Sequence, residues 1–174
     1  MLLSVKEISV SQGNLVFTDE TFTGKIEAGD FDLSIRNLLF GGTDSPAPLK
    51  NISFTGDAKC KILKLYNFTL MNLVMSATGE KRILNVNLDS MNIFGGTGNG
   101  SIHVDVTGPS PYYWVIYNLD RVRTEELIEL YSLDKIPPKT IEGPVNISAN
   151  LTAVGRSADE LKRSLSGDLS LNGE

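Results

Sequence analysis

Few residues of this 174-residue chain combine a reactive side chain with a spacing that chemistry could use. His103 and Asp105 are two residues apart, which places both side chains on one face if the segment is a β-strand. A carboxylate in that position could orient the imidazole for general-base catalysis. Because no G-x-S-x-G nucleophile motif accompanies the pair, we favour the alternative of a solvated surface histidine.

The other reactive residues also have simpler explanations. Cys60 falls within an alternating apolar pattern, which favours inert packing in a core. Glu125, Glu126 and Glu129 resemble an acidic metal site, but at the start of a helix they more simply complement the helix dipole. We therefore expect none of them to bind a metal.

Three further patterns also have simpler structural explanations. Residues 95–101 are rich in glycine, yet a phosphate-binding loop needs a lysine and a following helix, so we predict a β-turn or bulge. Asp30 and Asp32 could form a glycosidase-like acid pair, but they fit the outer face of a strand. The aromatic cluster at 111–114 could stack a ligand, and we expect core packing instead.

The composition removes several classes of function. Sixteen Lys and Arg against twenty-one Asp and Glu give a net charge of −5, which argues against nucleic-acid binding and polybasic membrane binding. One Cys and one His exclude an internal disulfide, a Cys-rich zinc site and a multi-histidine metal centre. We therefore predict that the protein is not an enzyme and has no catalytic, cofactor-binding or metal site.

The elements that position these residues are mostly strands, because the dominant pattern has a period of two. The clearest alternating sets are Phe31, Leu33 and Ile35; Ala58, Cys60 and Ile62; Leu84, Val86 and Leu88; Ile102, Val104 and Val106; and Val145, Ile147, Ala149, Leu151 and Ala153. About ten strands are predicted, each with one apolar and one polar face. The expected fold is mainly β, with one or more long curved antiparallel sheets forming a groove or an open sandwich.

Two short helices are expected to interrupt the strands. The first runs from about Thr124, as the N-cap, to about Leu133. The second begins at Ser157, which forms a capping box with Glu160. In this second helix the leucines at 161 and 165 share one face, and we expect both to dock on the sheet.

Several sequence segments along the chain resemble those of a known protein family. They are MNIFGGTGNG at 91–100, YNLDRV at 117–122, IEGPVNI at 141–147, LTAVGRSADEL at 151–161, SLSGD at 164–168 and ISVSQGNLVFTD at 8–19. The segment G-x-S-x-x-E-L followed by S-L-x-G resembles the C-terminal region of the AsmA family of bacterial envelope proteins. The resemblance covers most of the chain and is most specific over residues 91–168, although its motifs are turns and caps rather than catalytic residues.

The resemblance carries implications for organisation and function. It implies that residues 1–174 are a single β-rich periplasmic fragment of a longer protein, which an N-terminal segment outside this chain tethers to the inner membrane. AsmA-like proteins are related to TamB and resemble bridge-like lipid-transfer proteins, whose sheets curl into an apolar groove. The implied role is outer-membrane biogenesis, through phospholipid transport between the inner and outer membranes. The expected partners are phospholipid acyl chains and envelope proteins.

Three functions remain open at this point: a lipid conduit, a scaffold for outer-membrane protein assembly that binds no lipid, and a glycan hydrolase that uses His103 or Asp105. For the lipid conduit, the groove candidates are the apolar residues of the alternating sets. They are Leu84, Val86, Leu88, Ile102, Val104, Val106, Val145, Ile147 and Leu151.

Overall fold

A computed structural model describes residues 2–18, 25–41, 52–65, 68–130 and 142–173. These residues form one nine-stranded antiparallel sheet, in which every strand pairs with the next strand along the chain. The strands are β1 (Leu2–Thr18), β2 (Lys25–Gly41), β3 (Ile52–Leu65), β4 (Phe68–Glu80), β5 (Ile83–Ile93), β6 (Gly96–Asp105), β7 (Tyr112–Arg123), β8 (Pro144–Val154) and β9 (Ser166–Gly173). The predicted mainly β, antiparallel fold is confirmed, as a single open sheet.

Tight turns explain why consecutive strands pair. At the β4–β5 turn, Lys81 and Arg82 both have positive φ, and at the β5–β6 turn Phe94 and Gly95 do as well. Two successive residues with positive φ are typical of the type I′ turn, whose twist matches that of the flanking strands. The predicted turn in the Gly-rich segment is therefore present at Gly95, and the rest of that segment belongs to β6.

Helix α1 (Thr124–Leu130) follows β7 at one end of the sheet. The helix begins at Thr124 itself, so this residue is the first helical residue rather than the predicted N-cap, and its hydroxyl donates to the carbonyl of Gly143. Leu127 packs against the apolar core at this end. The predicted extension to Leu133 lies outside the described residues.

Helix α2 (Ala158–Ser164) connects β8 to β9 at the opposite end. The Oγ of Ser157 accepts from the backbone N of Glu160 at 3.2 Å, as predicted. The Glu160 carboxylate accepts from the backbone N of Arg156 at 2.7 Å. A capping box would have it accept from the backbone N of Ser157, one residue later. Leu161 is half-buried, but Leu165 is 56% exposed because, as the C-cap, it has extended backbone and leaves the helical face. The predicted docking of Leu165 is therefore wrong.

The buried core lies at the α1 end of the sheet. Its members come from four different strands and are Cys60, Leu73, Met91, Ile93 and Val122. The rings of Phe68 and Phe94 lie beside it with centroids 6.3 Å apart. The predicted core position of Cys60 is confirmed.

A line of β-bulges crosses the sheet beside this core. Residues with positive φ occur within β1, β2, β4 and β7, at Gln12, Asp30, Asn72 and Arg121. Register shifts lie next to all four of them, and another separates Leu88 from Met91 in β5. A bulge bends its strand and increases the local twist. Because these bulges lie at neighbouring positions, they bend the sheet along one line.

The bulges also shift the two-residue alternation. In β4 the core-facing leucines are Leu70 and Leu73, three residues apart across Asn72. β3 has the same offset, since Cys60 and Leu63 contact the core whereas Ile62 is 39% exposed. The predicted set that placed Ile62 on the face of Cys60 is therefore wrong.

Asn and Asp side chains satisfy the backbone donors that lie at or beside the bulges. Asp32 Oδ1 accepts from the backbone N of Gln12 at 2.9 Å, and Asn14 Oδ1 accepts from that of Asp30 at 3.3 Å. Asn146 Oδ1 accepts from the backbone N of Arg121 at 2.8 Å. Each of these side-chain oxygens accepts in place of the backbone carbonyl on the neighbouring strand that the bulge has moved out of reach.

Replacing Asn146 with Ala tests this role. Loss of the bond to the Arg121 amide should lower the free energy of unfolding by about 1 kcal/mol, measured by urea denaturation. Asn172→Ala is the matched control, because Asn172 lies directly opposite on β9 and its side chain bonds Ser170. The control should change stability by less than about 0.5 kcal/mol, and equal losses would contradict the role assigned to Asn146.

A second prediction concerns the close approach of strands at Gly100. A Cβ on Gly100 would lie 2.4 Å from the carbonyl oxygen of Ile116, whereas a Cβ on Gly56 would meet its nearest atom at 3.5 Å. Gly100→Ala should therefore destabilise the protein by about 1–3 kcal/mol, because backbone must move. Gly56→Ala should fall within about 0.5 kcal/mol of the parent in the same urea titration. Similar values for the two variants would show that β6 and β7 do not approach this closely.

Candidate functional site

The strand registers align side chains in rows that cross the sheet, since directly paired residues point to the same side. One row contains Ile8, Ile35, Gly56, Ala77, Val86, Ile102, Val115, Leu151 and Gly167. The next contains Val10, Leu33, Ala58, Met75, Leu88, Gly100, Tyr117, Ala149 and Leu169. We call the side of the sheet that carries these rows the apolar face. It is apolar from the first strand to the last.

The opposite side of the sheet is polar. Its central row contains Ser9, Ser34, Asp57, Ser76, Asn87, Ser101, Ile116, Asn150 and Asp168. An ion pair between Arg36 and Asp57 joins two strands there. Water can solvate this side, so only the apolar face requires a covering layer.

Within the described residues, the apolar face has no second sheet over it. Helix α1 covers only the end that contains the buried core, through Leu127. Away from that end the side chains remain accessible: Ile102 is 42% and Leu169 58% exposed. Soluble monomers rarely leave such a continuous apolar surface uncovered unless it binds something.

The predicted groove residues all belong to this surface. The register places Leu84, Val86, Leu88, Ile102, Val104, Val145, Ile147 and Leu151 on the apolar face. Val106, just beyond β6, lines a pocket together with Leu84 and Val104. All are half-buried except the more exposed Ile102. Their role as lipid contacts remains a prediction.

The predicted set omitted the part of the face that β1–β4 and β7 contribute. Ile8, Ile35, Met75 and Val115 lie in the same two rows as the predicted residues. Phe54 joins a parallel row with Leu84 and Val104. Alternation in these strands was the available signal, and the line of bulges interrupts it in β1, β2, β4 and β7.

Comparison with known families decides the relationship. The family model described as the AsmA family matches residues 4–174, which is essentially the whole chain. The chain belongs to the AsmA family. No curated protein and no solved structure matches it significantly. Membership places the chain in a family of bacterial envelope proteins. Among the described residues, neither helix is long and apolar enough to cross a bilayer.

In this AsmA-family chain, the two residues considered for base catalysis bond to other partners. The Nδ1 of His103 lies 2.7 Å from Asn85 Oδ1, across the β5–β6 pair on the polar side. The carboxylate of Asp105 accepts from the backbone N of Thr107 at 2.7 Å. Each group thus has a local structural partner.

The acidic residues of α1 also have local partners. Glu126 pairs with Arg123 at 2.6 Å, and Glu125 accepts from the backbone N of Gly143 at 3.5 Å. The side chain of Glu129 lies outside the description. In the part of the chain that the structure describes, no three His, Cys, Asp or Glu residues are close enough to hold a metal ion.

The aromatic cluster divides between the two sides of the sheet. Tyr113 is half-buried on the apolar face, in the row of Leu84 and Val104. Trp114 points to the polar side, is 42% exposed, and donates from Nε1 to Asn150 Oδ1 at 2.7 Å. The expectation that the whole cluster packs in a core is wrong, because neighbouring strand residues point to opposite faces.

The bond to Thr107 predicts a pH dependence. The hydroxyl and backbone N–H of Thr107 hold the pKa of Asp105 below its ordinary value of 3.8. A pKa lowered by folding adds stability above 3.8, and this contribution is lost as the pH falls through the folded-state pKa. Thr107→Val should therefore lower the urea midpoint at pH 7 but not at a pH below the folded-state pKa of Asp105, where the carboxyl is protonated in both states.

Thr69→Val provides a control for this prediction, because Thr69 is an exposed strand residue opposite Lys64. Its effect on the midpoint should be the same at both pH values. A Thr107→Val difference that persisted below the folded-state pKa of Asp105 would show that the hydroxyl stabilises the loop without acting on the Asp105 charge.

Proposed function

We propose that this AsmA-family chain binds phospholipid acyl chains on its apolar face and carries them between the inner and outer membranes, as a step in outer-membrane biogenesis. One observation supports the proposal above the others: the apolar rows run unbroken across nine strands, and among the described residues no second sheet covers them, since the two short helices pack only at opposite ends. The role needs no catalytic residue, so we propose a non-enzymatic protein.

The energetics of burial favour an acyl chain as the occupant. Each CH₂ group removed from water gains about 0.8 kcal/mol. About ten such groups would therefore gain about 8 kcal/mol before the costs of association are subtracted. Most side chains on the face are aliphatic or small, and the tyrosines at 113 and 117 add the only polar atoms in the rows named above, so the surface offers mainly dispersion contacts.

The proposed location is the periplasm, with attachment to the inner membrane through sequence outside this chain. Family membership supports the envelope as the compartment. A polar side and an apolar side suit a sheet that crosses an aqueous space while it keeps acyl chains out of water.

A second function is favoured by the free edges of the sheet. Neither β1 nor β9 has an outer partner among the described strands, and every residue of β9 is exposed. An open edge presents backbone donors and acceptors that another strand can pair with. The chain would then act as a scaffold in outer-membrane protein assembly, with an envelope protein rather than a lipid as its partner.

Placing a charge on the apolar face tests the lipid hypothesis. Ile102→Asp should reduce the phospholipid that co-purifies with the chain by about tenfold or more, because an ionised carboxylate does not share a site with acyl chains. Native mass spectrometry and lipid extraction after bacterial expression measure the bound amount. Since Ile102 is already partly exposed, the variant should still fold.

The matched control puts the same charge on the other side of the sheet. Asn87→Asp changes an exposed residue of the neighbouring strand that faces Ser76 and Ser101. It should leave the bound lipid unchanged. Lipid absent from the parent, together with envelope proteins captured by crosslinking at β1 or β9, would instead favour the scaffold.

A further inference from the structure

A pocket opens at the end of the apolar face opposite α1. It is shallow, with a cavity volume of about 30 Å³, and it is partly open to solvent. It is lined by Ile52, Phe54, Gly79, Arg82, Ile83, Leu84, Val104 and Val106. Four of these, Phe54, Gly79, Leu84 and Val104, are paired in succession across β3 to β6. The pocket is therefore continuous with the apolar rows.

The floor of the pocket is formed by an aromatic ring over a glycine. A Cβ on Gly79 would lie 2.5 Å from Cε1 of Phe54, so the ring occupies the space where any other residue would place its side chain. This packing leaves a flat apolar surface beside Leu84 and Val104. Such a surface suits the first carbons of an alkyl chain.

One cation lies among these apolar side chains. Arg82 is held at the β4–β5 turn because its carbonyl accepts from the backbone N of Val106 at 3.0 Å and its Nη2 donates to the carbonyl of Val106. Its Nε is buried and has no hydrogen-bond partner within the described residues. A buried guanidinium donor without an acceptor is costly, and an oxyanion would satisfy it.

No neighbouring carboxylate in the described part of the chain supplies that oxyanion. Glu80 pairs with Lys81 at 3.0 Å on the same turn. Asp105 lies near enough for its charge to interact with that of Arg82, but no hydrogen bond joins the two groups in the described chain, and its carboxylate accepts from the backbone N of Thr107. The Nε–H of Arg82 therefore remains an unused donor for a ligand that enters from the apolar face.

We propose that Arg82 binds the phosphate of a lipid head group whose acyl chain lies against Phe54, Leu84 and Val104. The inference rests on the proposed function, and it adds a selective position to a surface that is otherwise apolar. The guanidinium matches phosphate geometry because it presents several donors in a rigid fork. A head group held at this end directs the acyl chain onto the apolar rows.

The test compares three probes by isothermal titration, each below its micelle concentration: dodecyl phosphate, the neutral dodecyl maltoside, and inorganic phosphate. The parent chain should bind dodecyl phosphate about tenfold or more tightly than dodecyl maltoside, as expected for charge-assisted hydrogen bonds. Arg82→Gln should abolish this preference, since Gln can still donate to Val106 but carries no charge. Inorganic phosphate should bind far more weakly than dodecyl phosphate.

Lys81→Gln is the matched control, because Lys81 is the exposed neighbour of Arg82 on the same turn and also has positive φ. It should keep the preference for dodecyl phosphate. Arg82→Lys retains the charge without the fork and should lose part of the preference. If Arg82→Gln fails to fold, the parent's own preference and the Arg82→Lys variant decide the question.

Different failures overturn different statements. A preference that survives in Arg82→Gln, or a parent with no preference, overturns the head-group site while binding of dodecyl maltoside still supports the apolar groove. Inorganic phosphate that binds as tightly as dodecyl phosphate makes Arg82 a site for free anions and overturns the lipid assignment. Failure of both dodecyl compounds to bind overturns the proposed function as well.

Discussion

A sheet with one apolar face has to place that face against something, and this constraint governs the rest of the structure. In most β-proteins a second sheet or a layer of helices provides the cover. Here the described chain provides it only at the two ends, where α1 brings Leu127 onto the core around Val122 and α2 contacts β8. Many side chains of the remaining rows, among them Ile8 on β1 and Leu169 on β9, stay accessible. Stability therefore depends on long strand ladders and on the small core rather than on a large interior.

The line of bulges reconciles a long sheet with that small core. Asp30 and Asn72, both in the left-handed region, each add one residue to the alternation of side chains in β2 and β4. Without them, the apolar residues beyond the line of bulges would point to the polar side of the sheet. The extra residues return Ala28 and Leu70 to the face that carries Phe31 and Leu73. Asn and Asp suit these positions for two reasons: they tolerate positive φ, and their side chains accept freed backbone N–H groups.

Periodicity was sufficient to predict an antiparallel sheet and which side of β5, β6 and β8 is apolar, because alternation there follows directly from the pleat. Periodicity failed to predict the side on which Ile62 lies. The shift in alternation there depends on residues of the neighbouring strands, and the sequence of β3 itself contains no sign of it. Periodicity failed at Leu165 because the end of a short helix is set by the start of the following strand. The pocket at Arg82 was not predictable, since it depends on a turn bringing a cation to Val106, twenty-four residues away.

The rows of the apolar face run across the strands rather than along them, and this direction sets the distance over which it can act. Neighbouring strands are about 4.8 Å apart, so the eight intervals between nine strands span roughly 38 Å. That distance exceeds the hydrocarbon thickness of a bilayer, about 30 Å. Lengthening a strand would only widen the surface, whereas adding a hairpin would extend it by about 10 Å. The length of the apolar face across the sheet therefore depends on the number of hairpins rather than on the length of each strand.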